Sequence, residues 1–180
     1  MKVKPKSEVS KLNKEAAYIL NHEEVPYTVK IKLRAGQRKV KGNQVLLNTL
    51  LDQINDYLIE LELPRDLDQD HINLHNIGIT RLPEDSIKKF IRYSEADTLM
   101  LGDNGITNLH ASFGKFSDVA VIDLHDNQLT TLPESFGDLK KLKELNLEGN
   151  PITKLPKSFK KLKSLKEVRL PGSLLTSLVK

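Results

Sequence analysis

The sequence predicts an α/β solenoid, in which stacked repeats form a parallel concave sheet with helices or turns on the convex side, preceded by an α-rich amino-terminal cap. Apolar residues recur every 23 positions, as in Leu101, Leu124, Leu147 and Leu170. The stretches around them, such as "VIDL" and "ELNL", alternate apolar and polar residues, as half-buried strands do. A repeat this short buries its apolar face only by stacking on its neighbours.

The first 66 residues lack the repeat and are predicted to form a separate cap of helices and a β-hairpin. A Ser-capped helix is expected in "SEVSKLNKEAAYIL", and a strand with one basic face in "YTVKIKLR". The strongest helical pattern is "NQVLLNTLLDQINDYLIELEL", which begins at Asn43 and is stopped by Pro64. We expect this helix to cover the open end of the first repeat, because solenoid ends need a cover.

The repeat domain is predicted to span residues 67–180 in about five units, the last of them partial. The first unit, "INLHNIGITRLP", is offset from the second by 27 residues, and the extra residues in "EDSIKKFIRYSEADT" leave room for a longer convex helix. Asn104, Asn127 and Asn150 recur where the chain leaves each strand. An amide side chain both donates and accepts, so we expect these residues to satisfy backbone groups in the buried turns.

The complete pattern is Leu-x-x-Leu-x-Leu-x-x-Asn-x-Leu-x-x-Leu-Pro-x-x-Phe, with Leu-Pro pairs at 82–83, 132–133 and 155–156. It resembles the leucine-rich repeat family, in particular the short intracellular type found in Ras-associated scaffolds and in some bacterial effectors. The resemblance covers roughly residues 71–180. It implies a non-catalytic module that binds a partner protein on its concave face. In a bacterium the same architecture would suit an effector, or an inhibitor that occludes a partner enzyme.

Residues that flank the buried leucines of a stacked strand point onto the concave face. The predicted partner-binding residues are His71, Asn73, His75, Met100, Asp103, Asp123, His125, Asp126, Asn146, Glu148 and Arg169. They make this face polar and rather acidic. The competing interpretation is a solvated sheet face that binds nothing.

The histidines and carboxylates of this face raise the question of metal binding or catalysis. Strand rise puts His71 and His75 about 13 Å apart, and strand spacing puts His75 and His125 about 10 Å apart. On this spacing neither pair shares one ion, so the sequence predicts no metal site and no cofactor. An enzyme is not expected either, because no nucleophile and no enclosed pocket are indicated.

A basic amino-terminal patch supports a second hypothesis. Eleven Lys/Arg against four Asp/Glu give residues 1–42 a net charge of +7, whereas residues 43–70 carry −6. The patch consists of Lys30, Lys32, Arg34, Arg38, Lys39 and Lys41. It would bind an anionic surface of lipid, nucleic acid or acidic protein. Nucleic acid is unfavoured, because aromatic residues are few and no nucleic-acid motif is present.

The remaining expectations concern location and assembly. No apolar run reaches the roughly 20 residues of a membrane-spanning helix, and the basic amino terminus lacks the apolar segment of a secretory signal. The chain has no cysteine, which fits a reducing compartment. A cytoplasmic location is therefore expected, or the host cytosol for a bacterial effector. The last repeat lacks an amphipathic capping helix, so homodimerisation through the carboxyl-terminal end is also considered.

Overall fold

The computed structural model describes residues 17–18, 21, 49, 52–53, 55–56, 59, 71–92 and 96–174. Its five strands are β1 (His71–Asn73), β2 (Thr98–Met100), β3 (Val121–Asp123), β4 (Glu144–Asn146) and β5 (Glu167–Arg169). They form one parallel sheet in the order β1-β2-β3-β4-β5. Each strand and the convex segment that follows it make one rung of a solenoid, as the sequence predicts.

The strand register reproduces the spacing of the repeats. Ile72 pairs with Leu99 and Leu99 with Ile122, so the first offset is 27 residues and the second is 23. Ile122 pairs with Leu145 and Leu145 with Val168, again 23 residues on. The apolar columns of the sequence are therefore stacks of side chains in space.

The convex segments differ between the first rung and the later ones. The first rung carries the α-helix α1 (Glu84–Arg92), which buries Ile87 and Phe90 completely. The next three carry the 3-10 helices η1 (Ala111–Lys115), η2 (Glu134–Asp138) and η3 (Lys157–Lys161). The longer spacing of the first unit thus makes room for the predicted longer helix.

The core lies between the sheet and these convex segments. Leu101, Leu124 and Leu147 have no exposed surface, and each is worth about 1.5–3 kcal/mol of burial. Phe113 and Phe136 stack with ring centroids 5.7 Å apart and an interplanar angle of 6°. One continuous apolar core therefore connects successive rungs.

The asparagines connect the rungs through hydrogen bonds. The three repeated residues, all almost fully buried, are Asn104, Asn127 and Asn150. Asn127 Nδ2 donates to the carbonyl of Leu124 in its own rung at 3.1 Å and to that of Leu101 in the preceding rung at 2.9 Å. Its Oδ1 accepts from the Ile106 N–H of the preceding rung at 2.9 Å. The predicted role of these side chains in the buried turns is confirmed.

Helical residues between positions 52 and 59 contact the first rung. Ile59 is 1% exposed and belongs to the core, and Asn55 Oδ1 accepts from the backbone N–H of Thr80 at 2.8 Å. Asp52 pairs with Arg81 at 3.2 Å. These contacts agree with a helix packed on the first repeat. The boundary between residues 66 and 67 and the basic residues from Lys30 to Lys41 lie outside the described residues.

The carboxyl-terminal rung is more exposed than the others. Val168 belongs to the column of Leu99, Ile122 and Leu145 and was expected in the core, yet it is 38% exposed. Its strand has no following rung in the described stretch, so one flank of the column stays open. Leu170 is partly buried, and residues 175–180, with Leu175 and Leu178, lie outside the described residues. In the described part of the chain, no helix has the length and apolar character needed to cross a membrane.

Candidate functional site on the concave face

The concave face is built from the outward-pointing residues of the five strands. Strand burial alternates, so the middle residue points inward in β1 to β4 and the first and third point outward. All eleven residues predicted for this face are exposed or partly exposed in the structure. The alternation accounts for nine of them, whereas Asp103 and Asp126 lie in the turns after the strands.

A shallow depression on this face includes three outward positions besides the eleven predicted partner-binding residues. It is lined by Met100, Val121, Ile122, Asp123, Glu144, Leu145, Asn146, Glu167 and Arg169. Val121, Glu144 and Glu167 are the first outward residues of their strands, two positions before the predicted ones. The same period-two alternation would have found them.

Four equivalent positions of successive rungs share an unusual backbone conformation. Asn76, Asp103, Asp126 and Gly149 all have positive φ, at 55°, 52°, 48° and 69°. They follow the strands at the point where the chain turns inward. Asn, Asp and Gly are the residue types that adopt this left-handed conformation at lowest cost. The recurrence of these residue types is the signal that could have revealed the turn.

Three side chains from successive rungs converge at the amino-terminal half of this face. His75 Nε2 lies 3.4 Å from Asp103 Oδ2, and His125 Nε2 lies 3.3 Å from the same oxygen. The two imidazole rings stack with centroids 5.6 Å apart. The prediction that His75 and His125 lie about 10 Å apart and cannot share one ion is therefore wrong for their side chains.

Gly102 explains how the two histidines meet. It occupies the rung between them, in the same column, and has no side chain to separate them. A Cβ placed at Gly102 would lie 2.2 Å from Cε1 and 2.3 Å from Nδ1 of His125. The His125 ring therefore occupies the space above Gly102 and reaches across one rung towards His75.

Asp123 orients the His125 ring. Its Oδ1 accepts from His125 Nδ1 at 2.7 Å and from the His125 backbone N–H at 3.0 Å. An ionised carboxylate can only accept, so Nδ1 carries the proton and Nε2 faces Asp103. Partial burial lowers the pKa of His125, but the hydrogen bond to Asp123 and the charges of Asp123, Asp103 and Asp126 outweigh it and raise the pKa.

Tyr18 brings the amino-terminal part of the chain close to this cluster. A Cβ at Gly105 would lie 2.6 Å from the Tyr18 ring, so the phenol packs directly on that glycine. Burial, and then the charge of Asp103, raise the pKa of Tyr18. Nothing in the repeat pattern pointed to this residue, because it precedes the repeats.

Comparisons with known proteins agree with the fold. Residues 94–152 match the family described as leucine rich repeat. A leucine-rich repeat protein of Leptospira interrogans is 27% identical with a TM-score of 0.50, over 58% of this chain and 32% of that one. A chain of the Drosophila Toll–Spätzle complex is 28% identical with a TM-score of 0.50, over 64% of this chain and 15% of that one.

The leucine-rich repeat domain of the type III effector XopL is 18% identical with a TM-score of 0.53, over 95% of this chain and 57% of that one. At this identity the likeness concerns the fold alone. The chain covers less than two thirds of the length of each of these three structures. No curated protein matches the sequence.

Proposed function

Since the chain carries a leucine-rich repeat domain, we propose that it is a non-catalytic binding module whose concave face recognises a partner protein. Leucine-rich repeat domains generally mediate protein–protein interaction and are typically not enzymes. The observation that carries the proposal is a single five-stranded sheet whose outward side chains vary from rung to rung while its inward side chains repeat. Such a preorganised curved surface binds without large ordering costs.

The charge of this face determines the kind of partner that we propose. Its carboxylates include Asp123, Glu144, Glu148 and Glu167, and Glu167 also pairs with Arg169 at 3.2 Å. Lysines are concentrated on the 3-10 helices and the turns after them, at Lys115, Lys140, Lys141, Lys157, Lys160, Lys161 and Lys163. An acidic face on a molecule with a basic opposite side orients a partner that presents basic residues.

The depression supplies an apolar contact within this acidic surface. Met100 and Val121 line it and are partly exposed, and Glu144 and Asn146 lie on the next rung. Interface energy concentrates where an apolar anchor is surrounded by polar groups. We therefore place the centre of the interface at Met100 and Val121.

The proposal is tested by capturing partners from the lysate of the source organism on the immobilised full chain. The concave variants are Met100→Arg and Glu144→Lys, and the matched control is Asp138→Lys, which makes the same charge reversal on the convex helix η2. We expect recovery of the partner to fall at least about tenfold with the concave variants and to stay unchanged with the control. Equal recovery with all three variants contradicts the proposal.

The same capture experiment distinguishes binding through the basic amino-terminal patch from binding through the concave face. Lys32→Glu reverses one charge of that patch and substitutes none of the concave-face residues. Loss of the partner with Lys32→Glu alone, with a steep decrease of binding at higher salt, would favour an anionic surface as the ligand. A cytoplasmic location, a role as a bacterial effector or enzyme inhibitor, and homodimerisation through the carboxyl-terminal end remain predictions.

A further inference from the structure

The cluster of His75, Asp103 and His125 has the donor geometry of a metal site. One ligand atom from each residue lies within 4.8 Å of the other two. At metal–ligand distances of about 2.0–2.2 Å, neighbouring donors of a tetrahedral zinc ion lie roughly 3.3–3.6 Å apart. The distances of 3.4 Å and 3.3 Å from Asp103 Oδ2 to the two Nε2 atoms agree with this spacing. Only the distance between the donor nitrogens of the two histidines has to shorten further.

We propose that His75, Asp103 and His125 bind a divalent transition-metal ion of the zinc class on the concave face. The inference does not depend on the proposed partner, because the three donors belong to this chain. Two imidazole nitrogens and one carboxylate oxygen suit zinc and its transition-metal neighbours, whereas calcium and magnesium prefer oxygen ligands. The donor side chains are 25–44% exposed, so an ion reaches them from solvent and keeps positions for water.

Asp123 acts as a positioning residue for this site. Its carboxylate accepts the Nδ1 proton of His125 at 2.7 Å, which leaves the Nε2 lone pair free for a metal ion. Carboxylate–histidine–metal arrangements of this kind fix the tautomer and the orientation of the ring. Asp123 is itself largely shielded from solvent, with 19% of its side chain exposed.

The backbone holds the other parts of the site. The N–H of Asp103 donates to the carbonyl of His125 at 3.0 Å, which ties the second and third rungs together directly beside the donors. The N–H of His75 donates to Asn73 Oδ1 at 3.0 Å. Gly102 leaves the opening through which His125 reaches the site. The donors therefore lie in the turns that directly follow the strands, where backbone hydrogen bonds hold them in place.

The test measures zinc binding to the full chain, free of any affinity tag, in competition with a chromogenic chelator. We expect one zinc ion per chain, with affinity reduced at least about tenfold in His75→Gln, Asp103→Asn and His125→Gln. His71→Gln is the matched control, since it removes an exposed histidine from the same strand as the site's first rung, and its affinity should equal that of the wild type. Magnesium at millimolar concentration should not compete.

Two further variants test whether zinc binding requires the geometry of the cluster or only the presence of its histidines. Gly102→Ala keeps every donor and displaces the His125 ring, so zinc affinity should fall while the thermal unfolding curve reports whether the fold survives. Asp123→Asn should weaken zinc about 10–100-fold and alter the visible spectrum of the cobalt-substituted protein.

Two results would overturn the proposal. One is a wild-type chain that fails to take up zinc at micromolar concentration, in which case the cluster is an ion pair between a carboxylate and a protonated imidazole. The other is a double variant His75→Gln/His125→Gln that binds zinc as tightly as the wild type, which would place the ion on other histidines.

Discussion

The asparagine ladder (Asn104, Asn127 and Asn150) and the histidine cluster (His75, Asp103 and His125) share the second and third rungs and follow opposite sequence rules. Asn104, Asn127 and Asn150 repeat every 23 residues, are buried, and make the same hydrogen bonds in each rung. The column that contributes both histidines of the cluster contains His75, Gly102 and His125, so histidine and glycine alternate at one repeated position. The repeated positions form the structural frame, that is, the buried columns and turns of the solenoid. The variable positions are not needed for that frame and can carry a binding site.

The largest expected effect comes from the ladder. Asn127→Ala leaves the buried N–H of Ile106 without its partner and removes one of the two bonds that the Leu101 carbonyl accepts, which should cost about 2–3 kcal/mol of unfolding free energy. Urea denaturation measures this. The control is Asn146→Ala on the concave side, which loses one accepted bond from the Glu148 N–H and should cost less than about 1 kcal/mol. Equal losses of unfolding free energy in the two variants would mean that the asparagine ladder does not stabilise the fold more than the concave side chains do.

A smaller loss of stability is expected at Gly149, which has the repeated left-handed backbone conformation and lies against the side chain of Asp126. Gly149→Ala places a Cβ at φ 69° and within 1.8 Å of Asp126 Oδ1, so we expect a destabilisation of about 1–2 kcal/mol. Gly172→Ala is the control, because a Cβ there meets no atom within 4 Å. Thermal or urea unfolding of both variants tests the difference, and an equally stable Gly149→Ala would contradict it.

The concave variants should hardly change stability. Glu144 is exposed and lies on the open side of β4, so Glu144→Lys should leave the free energy of unfolding within about 0.5 kcal/mol of the wild type. The same variant is expected to lose the partner, so binding and stability should depend on different residues. A large loss of stability would show that the concave face also belongs to the frame.

The smallest effect is a pH dependence on the convex side. Hydrogen bonds from the backbone N–H groups of Ser158 and Lys157 hold the pKa of Glu134 below its usual value. Because the folded pKa is the lower one, this contribution is present above the unfolded pKa of about 4.3 and is lost as the pH falls through the folded pKa. Urea denaturation should show Glu134→Gln less stable than the wild type at neutral pH and equal to it in acid. A difference that persists in acid would contradict this.

The sequence predicted the frame because the frame is periodic. Inward columns such as that of Leu124 follow from the 23-residue spacing, and α1 follows from the longer first unit. Val168 departs from the prediction because a core column needs a neighbour on each flank. The alternation of the strands accounts for the predicted residues of the concave face except Asp103 and Asp126, which lie in left-handed turns.

The arrangement of the concave residues was less accessible to sequence reasoning. Strand spacing places Cα atoms and takes no account of how far a side chain leans. His125 spans the gap to His75 only because Gly102 has no side chain to fill the space between them. Asp103 points back to both histidines from a left-handed turn. A glycine between two histidines in one column is the pattern that would have indicated their contact.

The first rung has a convex α-helix where the later rungs have 3-10 helices, and we expect this difference to affect the geometry of the site. Hydrogen bonds hold neighbouring strands about 4.8 Å apart, whereas an α-helix with its side chains is roughly 10 Å wide. The first rung therefore has to spread on the convex side more than the rungs that carry η1 to η3. We expect that wedge to tilt β1 inward and bring His75 towards its partners. The thickness of a helix on the convex side would then set the distances between the three metal ligands on the concave side.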